Sequence, residues 1–177
     1  DFRAPAAGER LVDLSDATVL PGFIDLHVHL GMEMSPGAYI EQFTRNPADL
    51  ALRAAAHARK TLRAGFTTVR NLGDSYDTTI SLRDAIRAGW VEGPRIFTAG
   101  KAIGTTGSHA DPTNGWCELI AGDPGPKEGV ANGPDEMAKA VRQRSLGQAA
   151  SSRPTSSRVN SSGMRWGRLG SVTVSSA

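Results

Sequence analysis

Hydrophobic and polar residues between positions 20 and 100 follow strand-like and helix-like patterns in turn. Short runs rich in apolar and β-branched residues alternate with longer runs whose apolar residues recur every three or four positions. The predicted elements are a strand within residues 20–31, a helix within 46–65, a strand at 66–74, a helix at 78–88 and a strand at 94–100. This β-α-β-α-β order predicts an α/β fold, with a parallel sheet and its helices outside.

The first of these helices carries boundary signals at both ends. Asn46 is a preferred N-cap residue, Pro47 suits the first helical position, and Gly65 lies just past the expected end. His57 falls at the edge of the apolar stripe of this helix. We interpret it as a histidine on the helix surface.

The first strand has an unusual polar face. Apolar residues alternate with polar ones along it, so that one face carries hydrocarbon and the other carries Asp25, His27 and His29. Two neutral imidazoles two positions apart on a strand stand side by side and can bind one metal ion. A solvated face of an antiparallel sheet gives the same alternation and stays open as the alternative.

Turn residues on both sides of this strand place the histidines at its carboxyl end. Pro21 and Gly22 precede it and Gly31 follows it. In parallel α/β proteins this end of the sheet is where sites are built. We expect both rings to project from one central strand into a shared cavity, with Asp25 one step deeper on the same face.

The regular alternation stops beyond residue 100. Residues 101–133 are dense in Gly, Pro, Asn and Asp, as is typical of a functional or disordered loop. A helix is predicted at residues 134–144. The segment 145–177 has ten serines in 33 residues and no apolar period before "SVTVSS", which indicates a disordered tail. Before the alternation begins, residues 9–20 predict two short strands or one bent strand.

Composition excludes several classes of protein. The net charge of +2 over 177 residues predicts no nucleic-acid-binding surface. Cys117 is the single cysteine, so no internal disulfide forms, and we interpret it as a small buried apolar group rather than a nucleophile. No apolar run approaches the length of a membrane span, so we expect no membrane partner. Because the sequence opens at Asp1, loss of a signal peptide stays open; localisation is unassigned, with the cytoplasm favoured.

Three segments together resemble the amidohydrolase superfamily: "ATVLPGFIDLHVHLG", "LRAGFTTVRNLGD" and "GPRIFTAGKAIGTTGSHADP". The likeness covers about residues 9–144 and is strongest to the imidazolonepropionase-like branch, which includes Xaa-Pro and related dipeptidases. It implies a distorted (β/α)8 TIM-type barrel, of which residues 21–144 would form the first three βα units. Residues 1–20 would be the remnant of a small β-sandwich domain.

The same resemblance implies roles for the polar residues of the first strand. His27 and His29 match the first two ligands of a binuclear divalent metal site, in which Zn²⁺ is the expected ion, and Asp25 would support them. In the family, a carboxylated lysine on strand four, histidines on strands five and six and an aspartate on strand eight complete the site.

The resemblance also places His109 beside the substrate, in a loop with Gly107, Ser108 and Asp111. The family pattern has a second glycine where this chain has Ser108. The implied substrate is a small amide or dipeptide, and a homo-oligomeric full-length form is compatible with the likeness. Neither nucleic acid nor membrane is implied as a partner.

The segment 145–177 departs from the family pattern. Where family members continue into strand four with Gly-Ala-Asp-aliphatic-aliphatic-Lys, this chain has "ASSRPTSSRVNSSG". Codons for a segment that contains Asp-Val-Ile-Lys, read one base out of register, can give Pro-Thr-Ser-Ser-Arg, the string at residues 154–158. We therefore hypothesise that residues 145–158 are a frameshifted translation of strand four, with a natural disordered linker as the alternative.

Two functional hypotheses follow from these observations. The first is a metal-dependent amidohydrolase acting on C–N bonds, dipeptidase-like and inactive as a fragment. The second is a non-catalytic metal-binding α/β fragment, since two histidines leave a tetrahedral ion two ligands short. A nucleotide-binding α/β protein is a weaker third reading, because a Gly-rich phosphate loop does not follow the first strand.

Overall fold

A computed structural model describes residues 7–151 and 171–175 of the chain. These residues fall into two compact units, one with residues 7–21 and 171–175 and the other with residues 22–151. In the first unit, β1 (Glu9–Asp13) pairs antiparallel with β5 (Ser171–Ser175). The strand pattern expected through residue 20 ends at Asp13, whose side chain accepts a 2.9 Å hydrogen bond from the Ser15 N–H. The five residues of β5 belong to the segment expected to be a disordered tail.

The second unit contains the other eight elements. They are β2 (Phe23–Val28), α1 (Ala38–Thr44), α2 (Pro47–Arg63), β3 (Phe66–Asn71), α3 (Thr78–Arg87), β4 (Arg95–Thr98), α4 (Glu118–Ala121) and α5 (Pro134–Ser151). Strands β2, β3 and β4 form a parallel sheet in that order. The α/β fold with a parallel sheet is thereby confirmed. The expectation of a central histidine strand is corrected, because β2 lies at one edge of this three-stranded sheet.

Helix α2 begins and ends where its boundary residues predict. The Asn46 N–H donates to the Asp49 carboxylate at 2.9 Å, Pro47 is the first helical residue, and Gly65 takes a positive φ of 96° just past the end. Ala54 and Ala58 on this helix are fully buried. They form the core with apolar residues of β3, β4, α3 and the segment just after β2: Val69, Ile96, Leu82 and Leu30.

Strand β2 does not follow the regular alternation that its sequence predicts. Asp25 pairs with Val69 and Val28 pairs with Asn71, so two residues of β2 lie opposite one residue of β3. Such a β-bulge bends the strand and re-aims its side chains. The hydrocarbon face of β2 is largely uncovered, since Ile24 is 62% exposed.

The last helix and the loop before it differ from the sequence expectation in detail. Gly104 and Val130 form an isolated β-bridge that closes the long connection. Cys117 in this connection is exposed, which corrects its interpretation as a buried group. Helix α5 continues to Ser151, beyond the expected end at residue 144, so the first seven residues of the segment proposed to be frameshifted are helical. Residues 152–158 of that segment lie outside the described part of the chain. Within the described ranges, no helix is both long and apolar enough to cross a bilayer.

Candidate metal centre

The two histidines of the first motif lie side by side at the carboxyl end of β2. Their ring centroids are 5.3 Å apart, with an interplanar angle of 66°. Both side chains are exposed. A tetrahedral ion bound at the usual Zn–N distance of 2.0–2.1 Å would hold two ring centroids about 5 Å apart. The spacing of His27 and His29 therefore fits a shared divalent ion.

The hydrogen bond of His29 determines which of its nitrogens is available. Its Nδ1 lies 3.1 Å from the carbonyl oxygen of Gly73. Because a carbonyl only accepts, Nδ1 must carry the proton, and the Nε2 lone pair is left free for a metal. Histidine ligands commonly use a backbone carbonyl in this way to fix the tautomer and the ring orientation.

The two histidines alone fall short of a complete set of metal ligands. Within residues 7–151 and 171–175, no group of three or more His, Cys, Asp or Glu side chains is placed to hold an ion. His109 therefore does not join the pair as a third donor. Asp25 supports the neighbouring backbone, since its carboxylate accepts a 2.9 Å hydrogen bond from the His27 N–H.

The backbone immediately after His29 is held from two sides. The Leu30 N–H donates to the side-chain oxygen of Asn71 at 2.8 Å. The Leu30 carbonyl accepts from Nδ1 of His57 at 2.9 Å, and the Gly31 carbonyl accepts from Arg53 at 3.2 Å. This corrects our interpretation of His57 as a surface histidine, because its side chain is only 18% exposed and binds the segment just after β2.

A buried network of hydroxyl and carboxylate groups contacts the Asn71 amide. Its amide nitrogen lies 3.4 Å from the Thr79 hydroxyl, which is 2.6 Å from the Thr98 hydroxyl. The Asp74 carboxylate accepts from both the N–H, at 2.8 Å, and the hydroxyl of Thr79. Burial raises the pKa of the Asp74 carboxyl, and the hydrogen bonds from Thr79 oppose that rise.

Asp111 organises the loop that carries His109. Its carboxylate accepts from the Gly107 N–H, the Thr113 N–H and the Thr113 hydroxyl, each at 2.8 Å. The backbone N–H of Gly107, followed by the groups of Thr113, holds the pKa of Asp111 below its usual range. His109 itself is exposed. Ser108, at the position of the expected second glycine, has a buried hydroxyl to which no hydrogen-bond partner is assigned within the described residues.

One cavity of the described chain lies apart from the histidine pair. A cavity of about 370 Å³ lies between the end of the sheet and α5, lined by Leu72, Ala102, Val141 and Arg144 among others, and neither histidine of the pair lines it. The rings of His27 and His29 instead lie on an open surface. That the two rings project into a shared cavity stays a prediction.

Sequence reasoning missed the residues that hold the end of β2. Asn71 stands in a run of β-branched residues, where asparagine is disfavoured, and that placement was an available signal. The roles of His57 and Arg53 had no such signal, because they depend on how α2 packs. These features define an α/β protein with a candidate metal-binding histidine pair at the carboxyl end of a parallel strand.

The family model of the amidohydrolase family matches residues 18–171. The chain therefore belongs to the amidohydrolase family, as its three motifs indicate. A curated relative, the ochratoxinase of Aspergillus niger, is 27% identical over 136 residues, which cover 70% of this chain and 28% of that protein.

Solved structures agree with this assignment. A Xaa-Pro dipeptidase with methionine bound in its active site is 48% identical and superposes with a TM-score of 0.65, over 71% of this chain and 31% of that one. A prolidase in complex with N-methylphosphonate-L-proline is 29% identical, with a TM-score of 0.56, over 77% of this chain and 35% of that one. The chain thus spans about a third of the length of these relatives.

Proposed function

We propose that this chain is part of a metal-dependent hydrolase that cleaves the C–N bond of a small amide or dipeptide. The observation that carries the proposal is the His27–His29 pair, with ring centroids 5.3 Å apart. Membership of the amidohydrolase family supports it, as does the likeness to a Xaa-Pro dipeptidase and a prolidase. Zn²⁺ is the ion we favour, because paired imidazoles suit it.

Both histidines would bind the ion. His29 offers Nε2, since its Nδ1 proton is donated to the Gly73 carbonyl. Asp25 holds the backbone of His27 through the His27 N–H. A bound divalent ion lowers the pKa of a coordinated water and polarises a carbonyl, which is the chemistry that amide hydrolysis needs.

We further propose that residues 21–144 are the first three βα units of a (β/α)8 barrel. The right order of elements and the parallel sheet of β2, β3 and β4 support this. Residues 1–20 would be the remnant of a β-sandwich, and residues 145–177 an aberrant segment. In this arrangement His109, on the loop after β4, would border the substrate, because loops at that end of barrel strands build the site.

By itself the chain should bind zinc weakly without turning over substrate. This second candidate, a non-catalytic metal-binding fragment, is favoured by one specific observation: no third ligand joins the two histidines within the described residues. A site of two protein ligands lacks the three that catalytic zinc normally has. The same proposal includes a second divalent ion in the complete site and a homo-oligomeric form of the complete protein.

Calorimetry with ZnCl2 on the 177-residue chain tests the metal site. We expect weak binding that His27→Ala or His29→Ala lowers by about tenfold or more, as loss of a ligand requires. His109→Ala is the matched control, because it removes an exposed imidazole outside the pair and should leave zinc affinity within about twofold. Equal losses in all three variants would contradict the assignment of the pair.

An assay with Xaa-Pro dipeptides tests the expected inactivity. We expect no zinc-dependent hydrolysis by the chain, since no third ligand joins the pair among the described residues and catalytic zinc normally has three. Hydrolysis that His27→Ala abolishes would show that the chain is active and that the non-catalytic reading is wrong.

A further inference from the structure

We propose that Asn71 is a positioning residue for His29: through its side-chain amide it fixes both the backbone after His29 and the carbonyl that receives the His29 proton. The inference rests on the proposed metal site. It concerns how the apo chain presents Nε2 of His29, so it can be measured with no metal present.

The first contact of Asn71 fixes the position of the strand end. Asn71 is the last residue of β3 and is fully buried. Its Oδ1 accepts the Leu30 N–H at 2.8 Å, directly after His29. A buried N–H without a partner costs about 1–3 kcal/mol, so this bond strongly restrains the chain at that point.

The second contact fixes the acceptor of the histidine proton. The amide nitrogen of Asn71 donates to the Gly73 carbonyl at 3.1 Å. The same carbonyl accepts from Nδ1 of His29, also at 3.1 Å. A carbonyl oxygen has two lone pairs, and these two donors use both. Asn71 thus places the oxygen that determines the tautomer and orientation of the His29 ring.

An asparagine is the side chain that these two contacts require. One end of its amide must accept from Leu30 while the other donates to Gly73. A carboxylate would present an acceptor to the Gly73 carbonyl, and a hydrocarbon would satisfy neither group. The Thr79 hydroxyl lies 3.4 Å from the amide nitrogen and helps to fix which way the amide faces.

Other contacts attach β2 to the body, which lets the role of Asn71 be separated from simple anchoring. His57 and Arg53 hold the carbonyls of Leu30 and Gly31 from α2. Neither contact touches the Gly73 carbonyl. Loss of the Asn71 amide should therefore release the His29 ring while the strand end stays bound to α2.

The experiment compares Asn71→Asp, Asn71→Ala and the control Thr98→Val in the full 177-residue chain. Asn71→Asp keeps the acceptor for Leu30 and removes the donor to Gly73. Thr98→Val removes a hydroxyl of the same buried network, 2.6 Å from the Thr79 hydroxyl and an acceptor for the Gly100 N–H at 3.0 Å, while the Asn71 amide stays in place. Two readouts are taken: the His29 tautomer from long-range ¹H–¹⁵N imidazole spectra of the apo chain, and zinc affinity from calorimetry.

We expect the wild type to hold His29 in the Nδ1–H form. Folded Asn71 variants should show mixed tautomers and about tenfold weaker zinc binding, the usual scale for a residue that orients a ligand. Thr98→Val should lower the melting temperature while leaving the tautomer unchanged and zinc affinity within about twofold. A folded Asn71 variant with the wild-type tautomer and affinity would overturn the proposal.

If neither Asn71 variant folds, the wild type decides the question. A predominant Nε2–H tautomer of His29, or a Leu30 amide that exchanges with solvent as fast as those of the exposed loop, would overturn the proposal. An Nδ1–H tautomer with a protected Leu30 amide would support it. If the wild type binds no zinc, the proposed function fails, and the tautomer comparison still decides the role of Asn71.

Discussion

The two edge strands of the parallel sheet, β2 and β4, each carry an isoleucine, and the two side chains differ sharply in exposure. Ile24 on β2 is 62% exposed, whereas Ile96 on β4 is 3% exposed. Both strands are short and pair with β3 on one side only. The same side chain on the same kind of strand therefore has opposite environments.

The two isoleucines lie on opposite faces of the sheet, since Ile24 is in register with Thr68 and Ile96 with its neighbour Val69, and the helices pack on the Val69 face. Helix α2 packs against β3 and α3 packs against β4, so each helix covers the strand that follows it along the chain. Strand β2 is the first strand of its unit, and no helix precedes it within residues 22–151. Apolar patterning thus predicts which face of a strand is hydrocarbon, but burial depends on a partner that another part of the chain must supply.

The strongest test of this comparison is the same substitution on each edge. Ile96→Ala should lower the free energy of unfolding by about 2–5 kcal/mol, because it opens a cavity in the core. Ile24→Ala should lower it by no more than about 0.5 kcal/mol, since the side chain is mostly in solvent. Urea unfolding followed by circular dichroism measures both.

The outcome for Ile24→Ala decides whether the contrast holds. A loss similar to that of Ile96→Ala would mean that the outer face of β2 is packed in solution. The comparison between the two edges would then be wrong, whatever the size of the Ile96→Ala effect.

A second test uses two carboxylates whose environments shift the pKa in opposite directions. Burial raises the pKa of Asp74, so the folded state binds its proton more tightly and loses stability as pH rises above the ordinary value near 3.8. Hydrogen bonds from Gly107 and Thr113 lower the pKa of Asp111, so its contribution is present above that pH and is lost as pH falls toward the folded pKa.

The variants Asp74→Asn and Asp111→Asn should therefore change the pH dependence of unfolding with opposite signs. As the pH rises from about 3 to about 7, the stability of Asp74→Asn relative to the wild type should increase, and that of Asp111→Asn should decrease. Urea unfolding across this range provides the measurement. The same sign of change in both variants would contradict the assigned environments.

Much of the fold follows from sequence because local signals and long-range packing agree. Asn46, Pro47 and Gly65 mark α2 by capping rules that need no tertiary contact. Helix α1 had no such signal: it has only seven residues, and Glu41 in it forms an ion pair with Arg53 of α2. A contact of that kind cannot be read from a periodic pattern.

The candidate site likewise combines features that the sequence predicts with features that depend on packing. The spacing of His27 and His29 predicts that their rings share a face, and the rings do lie together. The bulge that shifts β2 against β3 and the contact of Asn71 with Leu30 depend on how the two strands pair, which a period along a single strand does not show. Sequence therefore indicates the ligand pair, while its supporting residues emerge only from the packed sheet.

The smallest expected effect on stability comes from the exposed edge itself. Ile24→Thr keeps a β-branched side chain on β2 and should change the free energy of unfolding by less than about 0.5 kcal/mol. Self-association should fall nevertheless, because an edge strand with exposed hydrocarbon is a template for pairing with another chain. The matched control is Met34→Thr, which removes an apolar side chain that is 91% exposed and outside any strand. Light scattering at matched concentrations measures the association of both variants. Reduced association in Ile24→Thr alone assigns the effect to the uncovered edge. An equal reduction in both variants would assign it to general surface hydrophobicity and weaken the contrast between β2 and β4.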